Sequence, residues 1–173
     1  MSSSRTHVLA RVCSLALAVC LAGCFRPLYG PTLSGNSTVQ AEMESIVVDP
    51  IPDRLGHYLG NELIFGFNGT GTPGPRKYRL LVTVQEHVQT PLVDTVLGRA
   101  TAATVFIDAE FKVIPIEGGD PIVKGTAFSS ATYDRSSNRY SNLRAARDAE
   151  IRNARNLADQ IRTRVGAAFA TKT

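Results

Sequence analysis

Three long segments in which apolar residues recur at every second position constrain the fold more than any other feature. They span residues 77–89, 99–114 and 122–133. In the middle segment, Val105, Ile107 and Ala109 share one side, and polar or charged residues dominate the other. Because successive side chains of a strand point to opposite faces, this pattern predicts strands with one face on a core and the other toward water or a partner.

The end of the chain predicts a long amphipathic helix. Its apolar residues recur at steps of three and four from Leu143 to Ala168, and Ser141 or Asn142 is suited to cap its start. A helix over residues 141–168 is roughly 42 Å long, and a strand over residues 101–113 is roughly 43 Å long. The two elements can therefore cover each other end to end. Its arginines alternate with acidic residues, which favours a solvated helix face over a lipid-binding one.

The segment before the alternating strands predicts one further strand and one further helix. Residues 39–48 resemble a strand that ends at Asp49-Pro50, and a helix follows with Asp53 as its N-cap. The order β-α-β-β-β-α predicts an α+β fold, a two-layer sandwich in which two helices cover one face of a four-stranded mixed sheet. A right-handed crossover makes the first two strands parallel, and hairpins make the later ones antiparallel.

The N-terminus has the organisation of a bacterial lipoprotein precursor. A weakly basic head precedes the apolar run 12–22, which is too short to span a bilayer but suits a signal peptide. Leu21-Ala22-Gly23-Cys24 resembles a lipobox, which implies cleavage before Cys24, a lipid on its sulfur and acylation of the new N-terminus. We therefore predict a signal peptide over residues 1–23, a lipidated tether over residues 24–38 and a single domain over residues 39–173.

Lipidation at Cys24 bears on two expectations: whether the cysteines can form a disulfide or a metal site, and where the protein is located. Cys13 and Cys20 leave with the leader, so neither a disulfide nor a cysteine metal site is expected in the mature chain. Two or three acyl chains anchor a protein stably without a membrane-spanning segment. Phe25 stands where an aspartate would favour retention in the inner membrane. The expected location is the periplasmic face of the outer membrane.

Charge and motifs weigh against nucleic-acid binding and against catalysis. The formal net charge is +4, and the basic residues are spread along the chain. Neither His57 nor His87 lies in a recognisable catalytic motif, and Asp108 with Glu110 is better explained as a solvent-facing strand pattern than as a catalytic pair. We expect no enzymatic activity, no catalytic residue, no metal and no cofactor beyond the covalent lipid on Cys24.

Two regions are candidates for binding a partner. The predicted hairpin tip 91–98 carries four large apolar residues and either packs under its own core or enters a partner; they are Leu92, Val93, Val96 and Leu97. The strand face away from the helices carries hydroxyl groups and two aromatic rings, from Thr104, Phe106, Thr126, Phe128, Ser130 and Thr132. Four nearby basic residues are candidates for contacting anionic sugar phosphates: Arg99, Lys112, Lys124 and Arg135.

Three short motifs resemble the lipopolysaccharide-assembly lipoproteins of the LptE family, in particular its alphaproteobacterial branch. They are Cys24-Phe25-Arg26-Pro27-Leu28-Tyr29-Gly30, Asp53-Arg54-Leu55-Gly56 and the segment 157–164. The resemblance implies a lipoprotein that plugs the outer-membrane β-barrel LptD, helps it to assemble and binds lipopolysaccharide on its way to the outer leaflet. The alternative is an accessory lipoprotein of an ABC-type lipid transporter, which bridges components in the periplasm.

Overall fold

The computed structural model describes residues 39–69, 74–90, 93–94 and 99–172. The signal peptide, Cys24 and the tether lie outside these residues. Helices are α1 (Val39–Glu44), α2 (Asp53–Asn68) and α3 (Arg139–Lys172). Strands are β1 (Ile46–Val48), β2 (Tyr78–Gln89), β3 (Val93–Asp94), β4 (Arg99–Ala100), β5 (Ala102–Pro115) and β6 (Val123–Asp134).

The main sheet has four strands in the order β1-β2-β5-β6. β1 is parallel to β2, whereas β2, β5 and β6 form antiparallel pairs. The mixed sheet predicted from the order of the elements is confirmed. The predicted strand 99–114 is divided, because Arg99 and Ala100 pair with β3 while β5 begins at Ala102.

The helices cover one face of the sheet and enclose the hydrophobic core with it. Leu59 and Leu63 from α2, and Leu157, Ile161 and Val165 from α3, are almost fully buried. They belong to one cluster with the inward residues of the strands, which include Leu80, Val105, Ile107 and Val113. The two-layer α+β architecture is therefore confirmed, and the short helix α1 adds a third helix to the same core.

The predicted first strand over residues 39–48 is wrong in its first half. Residues Val39–Glu44 form helix α1, and only Ile46–Val48 pair with β2. Val39 and Met43 are both buried and lie four residues apart, which is the spacing of one helix face. Ser45 ends the helix, because its hydroxyl donates to the Glu42 carbonyl at 2.6 Å. Helical packing on the core therefore decides the structure of these residues against the predicted strand.

Helix α1 is also held to the start of β2 by polar contacts. The Tyr78 hydroxyl donates to Glu42 Oε2 at 2.8 Å, and Lys77 Nζ lies 3.0 Å from Glu42 Oε1. Burial, together with this carboxylate, raises the pKa of Tyr78 to about 12. Tyr78 therefore stays a neutral hydrogen-bond donor at physiological pH.

Both predicted helix caps are wrong. Pro52 occupies the N-cap position of α2 with no side-chain cap, and Asp53 is the first helical residue, with φ 68°. Helix α3 begins at Arg139, and the Asn138 side chain caps it by accepting hydrogen bonds from the backbone N–H groups of Tyr140 and Ser141 at 2.9 and 3.2 Å. Asn142 instead exchanges hydrogen bonds with the backbone of Ser136.

Side chains of α3 reach over the outer edge of β6. Arg152 donates to the Thr132 carbonyl at 3.0 Å, Gln160 donates to the Phe128 carbonyl at 2.8 Å, and Arg164 donates to the Thr126 carbonyl. Helix and strand run in opposite directions. Four helical residues advance about 6 Å, and two strand residues advance about 6.6 Å, so the two registers stay matched. The β6 edge is therefore occupied by side-chain donors.

Below the sheet, a buried polar contact fixes the position of α3. Asn153 Oδ1 accepts a hydrogen bond from the Ser129 hydroxyl at 2.8 Å, and Asn153 Nδ2 donates to the Val105 carbonyl at 3.0 Å. Both side chains are buried, and their hydrogen bonds offset the cost of that burial.

Among the described helices, none is long and apolar enough to cross a membrane.

Candidate functional site

The sheet face away from the helices, called the open face below, is formed by alternate side chains of β2, β5 and β6. Strand register arranges these side chains in five rows that cross the sheet. The rows are Leu81–Lys112–Lys124, Thr83–Glu110–Thr126, Gln85–Asp108–Phe128, His87–Phe106–Ser130 and Gln89–Thr104–Thr132. The hydroxyl and aromatic residues that the sequence assigns to one face do share it.

Lys112 and Lys124 lie directly opposite each other in one row of the open face. Cβ atoms of such pairs are about 5 Å apart, so the two ammonium groups repel each other. In the described part of the chain, neither lysine forms an ion pair with a carboxylate. The pair is therefore a local concentration of positive charge without a direct ion-pair partner.

The lysine pair borders a shallow depression of about 610 Å³. Its walls combine the two ammonium groups with hydroxyl and apolar groups, from Leu81, Thr83, Glu110, Phe111, Lys112, Lys124, Gly125 and Thr126. Such a surface can hold an anion beside an aliphatic group. The Glu110 carboxylate in the next row would repel a negatively charged group of a ligand that extended toward the middle of the sheet.

Three rings form a strip across the opposite half of the open face. His87 stacks on Phe106 with centroids 5.2 Å apart, and Phe106 lies 6.2 Å from Phe128. Phe128 is 52% exposed. The hydroxyl groups of Thr104 and Thr132 lie 2.9 Å apart just beyond the strip. An exposed, stacked strip of this kind provides a flat apolar contact area.

The four basic residues proposed from the sequence do not form one cluster. Lys112 and Lys124 are neighbours, whereas Arg135 follows the far end of β6, where its N–H donates to the Thr101 carbonyl at 2.8 Å. About ten residues of strand, or roughly 33 Å, separate the two ends. Arg99 pairs through its backbone with Asp94 in the small β3–β4 ribbon.

The apolar tip lies largely outside the described residues. These residues do not include Leu92, Val96 and Leu97, and they include only the backbone of Val93, which pairs with Ala100. Whether the tip packs on its own domain or on a partner therefore stays a prediction.

The candidate acid–base and metal ligands are dispersed. His57 Nε2 lies 3.2 Å from Asn61 Nδ2 one turn along α2, while His87 is part of the aromatic strip. Asp108 and Glu110 are exposed on the open face. Within residues 39–69, 74–90, 93–94 and 99–172, no group of histidine, cysteine and acidic side chains is arranged to hold a metal ion.

One charged cluster was not predicted from the sequence. Arg54 at the start of α2 donates two hydrogen bonds to Glu150 of α3, from Nε at 2.9 Å and from Nη2 at 2.5 Å. Hydrogen bonding to Glu150 and its charge raise the pKa of Arg54. Partial burial raises the pKa of Glu86 on β2, the charge of Glu150 adds to this, and Arg54 opposes it. Arg54 and Glu150 are 96 positions apart, so no local pattern links them.

No protein-family model and no curated protein sequence matches the chain. Among solved structures, a candidate lipoprotein from Caulobacter crescentus superposes with a TM-score of 0.62 at 21% identity, covering 76% of this chain and 96% of that one. A minor lipoprotein from Acinetobacter baumannii superposes with a TM-score of 0.47 at 13% sequence identity, covering 72% of this chain and 92% of that one. Rare lipoprotein B from Shewanella oneidensis superposes with a TM-score of 0.43 at 13% sequence identity, covering 73% of this chain and 94% of that one. The chain shares the fold of the Caulobacter protein over nearly all of that protein's length.

Proposed function

We propose that this protein is an outer-membrane lipoprotein, anchored through a lipid on Cys24, that binds lipopolysaccharide and plugs the LptD barrel. Its role is assembly and delivery, with no enzymatic step. The lipobox Leu21-Ala22-Gly23-Cys24 and the three motifs that resemble the LptE family support the proposal. The fold shared with a candidate lipoprotein from Caulobacter crescentus is consistent with it. The observation that carries the binding role is the opposed Lys112–Lys124 pair on the open face.

The lysine pair suits a phosphorylated glycolipid for an electrostatic reason. Two like charges at opposed strand positions destabilise the free protein. A phosphate group between them replaces that repulsion with two charge-assisted hydrogen bonds. Leu81 completes the row and offers an aliphatic contact beside the charges. Free phosphate ions lack the acyl chains that would use this second contact.

The composition of the open face suits the inside of a large barrel. A barrel lumen is lined by polar side chains. The open face presents threonine, glutamine and acidic residues, together with the exposed strip of His87, Phe106 and Phe128. The helices cover the other face, so the open face is available for contact with a surrounding wall.

Removing both charges of the pair tests the binding role. The double variant Lys112→Ser and Lys124→Ser is expected to bind immobilised lipopolysaccharide about tenfold more weakly, because two charge-assisted contacts are lost. The purified full-length lipoprotein is measured in detergent at physiological ionic strength. The matched control is Arg139→Ser with Arg144→Ser, which removes the same charge from exposed positions at the start of α3. An equal loss in the control would mean that overall charge, not the pair, determines binding.

The partner is tested by purification from membranes. Affinity capture of the tagged, Cys24-anchored protein is expected to recover a β-barrel of LptD size. A Cys24→Ala form is expected to be missing from the outer-membrane fraction, because the lipid attachment atom is gone. Recovery of inner-membrane permease subunits in place of the barrel would support the accessory role in an ABC-type lipid transporter and contradict the proposal.

A further inference from the structure

The two edges of the main sheet differ in how they are covered. Side chains of α3 occupy the outer carbonyls of β6. On the other side, β1 pairs only with Tyr78, Arg79 and Leu80, and the last bond of this pairing runs from the Asp49 N–H to the Leu80 carbonyl at 2.9 Å. Pro50 follows and has no N–H to continue the ladder. The rest of β2 therefore extends beyond its neighbour.

Hydrogen bonding at the start of β2 shows which of its backbone groups point outward. The Lys77 carbonyl accepts a bond from Ile116 on the β5 side, whereas Tyr78 and Leu80 bond toward β1. Backbone groups of a strand alternate between its two sides, so every even-numbered residue of β2 points away from β5. Val82, Val84, Glu86 and Val88 thus direct their N–H and C=O groups to the free edge. In the described part of the chain, no hydrogen bond reaches these outward groups.

The side chains along this edge indicate the chemistry of a segment that fits there. Val84 is half-buried, and Val88 is 53% exposed. Between them lies the exposed Glu86, and the nearby Arg54 donates both of its hydrogen bonds to Glu150 and none to Glu86. Within the described residues Glu86 forms no salt bridge, so its negative charge has no paired cation. A complementary strand therefore has apolar residues facing Val84 and Val88 and a basic residue facing Glu86.

We infer that the free edge of β2 from Val82 to Val88 binds an extended segment of a partner protein by strand addition, with a basic residue opposite Glu86. Backbone hydrogen bonds supply affinity in this mode, and alternate side chains supply specificity. A second copy of this chain fits less well, because two-fold pairing centred on Glu86 would oppose two carboxylates. The inference rests on the β2 backbone and does not depend on lipopolysaccharide binding.

Amide exchange by NMR on the isotope-labelled full chain tests the edge directly. The N–H groups of Val84, Glu86 and Val88 are expected to exchange at least a hundredfold faster than those of Gln85 and His87, which bond to β5. The probe is a capped peptide, Thr-Thr-Val-Thr-Lys-Thr-Val-Thr-Thr. Its addition is expected to slow the three outward amides at least tenfold and to leave the inward ones unchanged. Slow exchange of the outward amides without peptide would overturn the inference.

A charge swap tests the specificity of the edge. The same peptide with a central glutamate is expected to bind about fivefold more weakly, as an opposed ion pair is worth up to about 1 kcal/mol. Glu86→Lys should reverse this preference, while Glu110→Lys on the open face should not. Val88→Pro removes one outward N–H without affecting the β5 ladder and should abolish peptide binding.

Three results would contradict strand addition by a basic partner segment. The first is unchanged outward exchange at millimolar peptide. The second is equal binding of the lysine and glutamate peptides. The third is protection of the outward amides from exchange that rises with protein concentration in the absence of peptide and disappears in Val88→Pro. This result would identify a second copy of the chain as the occupant of the edge.

Discussion

Replacing Gly56 by alanine is expected to lower the free energy of unfolding by about 2 kcal/mol, as overpacking a tight contact does. A Cβ atom at this position of α2 would lie 2.7 Å from the Ile51 carbonyl oxygen and 2.8 Å from its carbon. Because these are backbone atoms, the segment before α2 has to move away from the helix. Denaturant unfolding of the full chain, followed by circular dichroism, measures the change.

Gly60, one turn further along α2, is the matched control. Its nearest neighbour to an added Cβ atom is 4.0 Å away, at Ile51 Cδ1. Gly60→Ala is therefore expected to stabilise the protein by about 0.5–1 kcal/mol, because alanine loses less backbone entropy than glycine in a helix. Destabilisation of similar size in both variants would show that the close approach at Gly56 is not what limits that position.

Breaking the Arg54–Glu150 pair is the second change with a large expected effect. Arg54→Met leaves the Glu150 side chain, which is 6% exposed, without the two hydrogen bonds it accepts from the guanidinium. We expect a loss of about 2 kcal/mol in the free energy of unfolding, below the value for a fully buried pair because half of Arg54 is in water. The same denaturant measurement reports it.

A second substitution distinguishes the unpaired charge from a general loss of packing. Adding Glu150→Leu to Arg54→Met is expected to restore most of the stability, since apolar residues often replace a buried pair without cost. Arg79→Met is the control, because Arg79 makes a similar two-bond contact with Asp49 at an exposed site. A double variant no more stable than Arg54→Met would contradict this account of the cluster.

The strands of the fold were predictable because their faces differ so strongly. Ala103, Val105, Ile107 and Ala109 alternate with the outward-facing Thr104, Phe106 and Asp108 and are all buried. The start of the domain was not predictable in the same way. Val39 and Met43 fit a strand and a helix equally well in isolation, and packing on α2 and α3 decides between them. The predicted helix caps were wrong for a related reason. Several polar residues near each helix start can act as a cap, and the tertiary structure determines which residue occupies that position.

The candidate site was predictable by residue type more than by arrangement. Lys112 and Lys124 were both identified, but their opposition depends on the β5–β6 register, which the sequence leaves free. The same register separates them from Arg135. The Arg54–Glu150 contact joins residues 96 positions apart, and the free edge of β2 depends on how short β1 is. These features follow from the assembled sheet and have no local signature.

The side chains of α3 on the edge of β6 have a consequence for the order in which the chain is made. Arg164, which donates to the Thr126 carbonyl, follows that residue by 38 positions in the chain. During synthesis or export, β6 is therefore complete well before the donors that occupy its edge have emerged. An open strand edge is a template for aggregation. A chain shortened before Arg152 should accordingly aggregate more readily than the full chain, because it lacks both these donors and the apolar residues of α3 that cover the sheet.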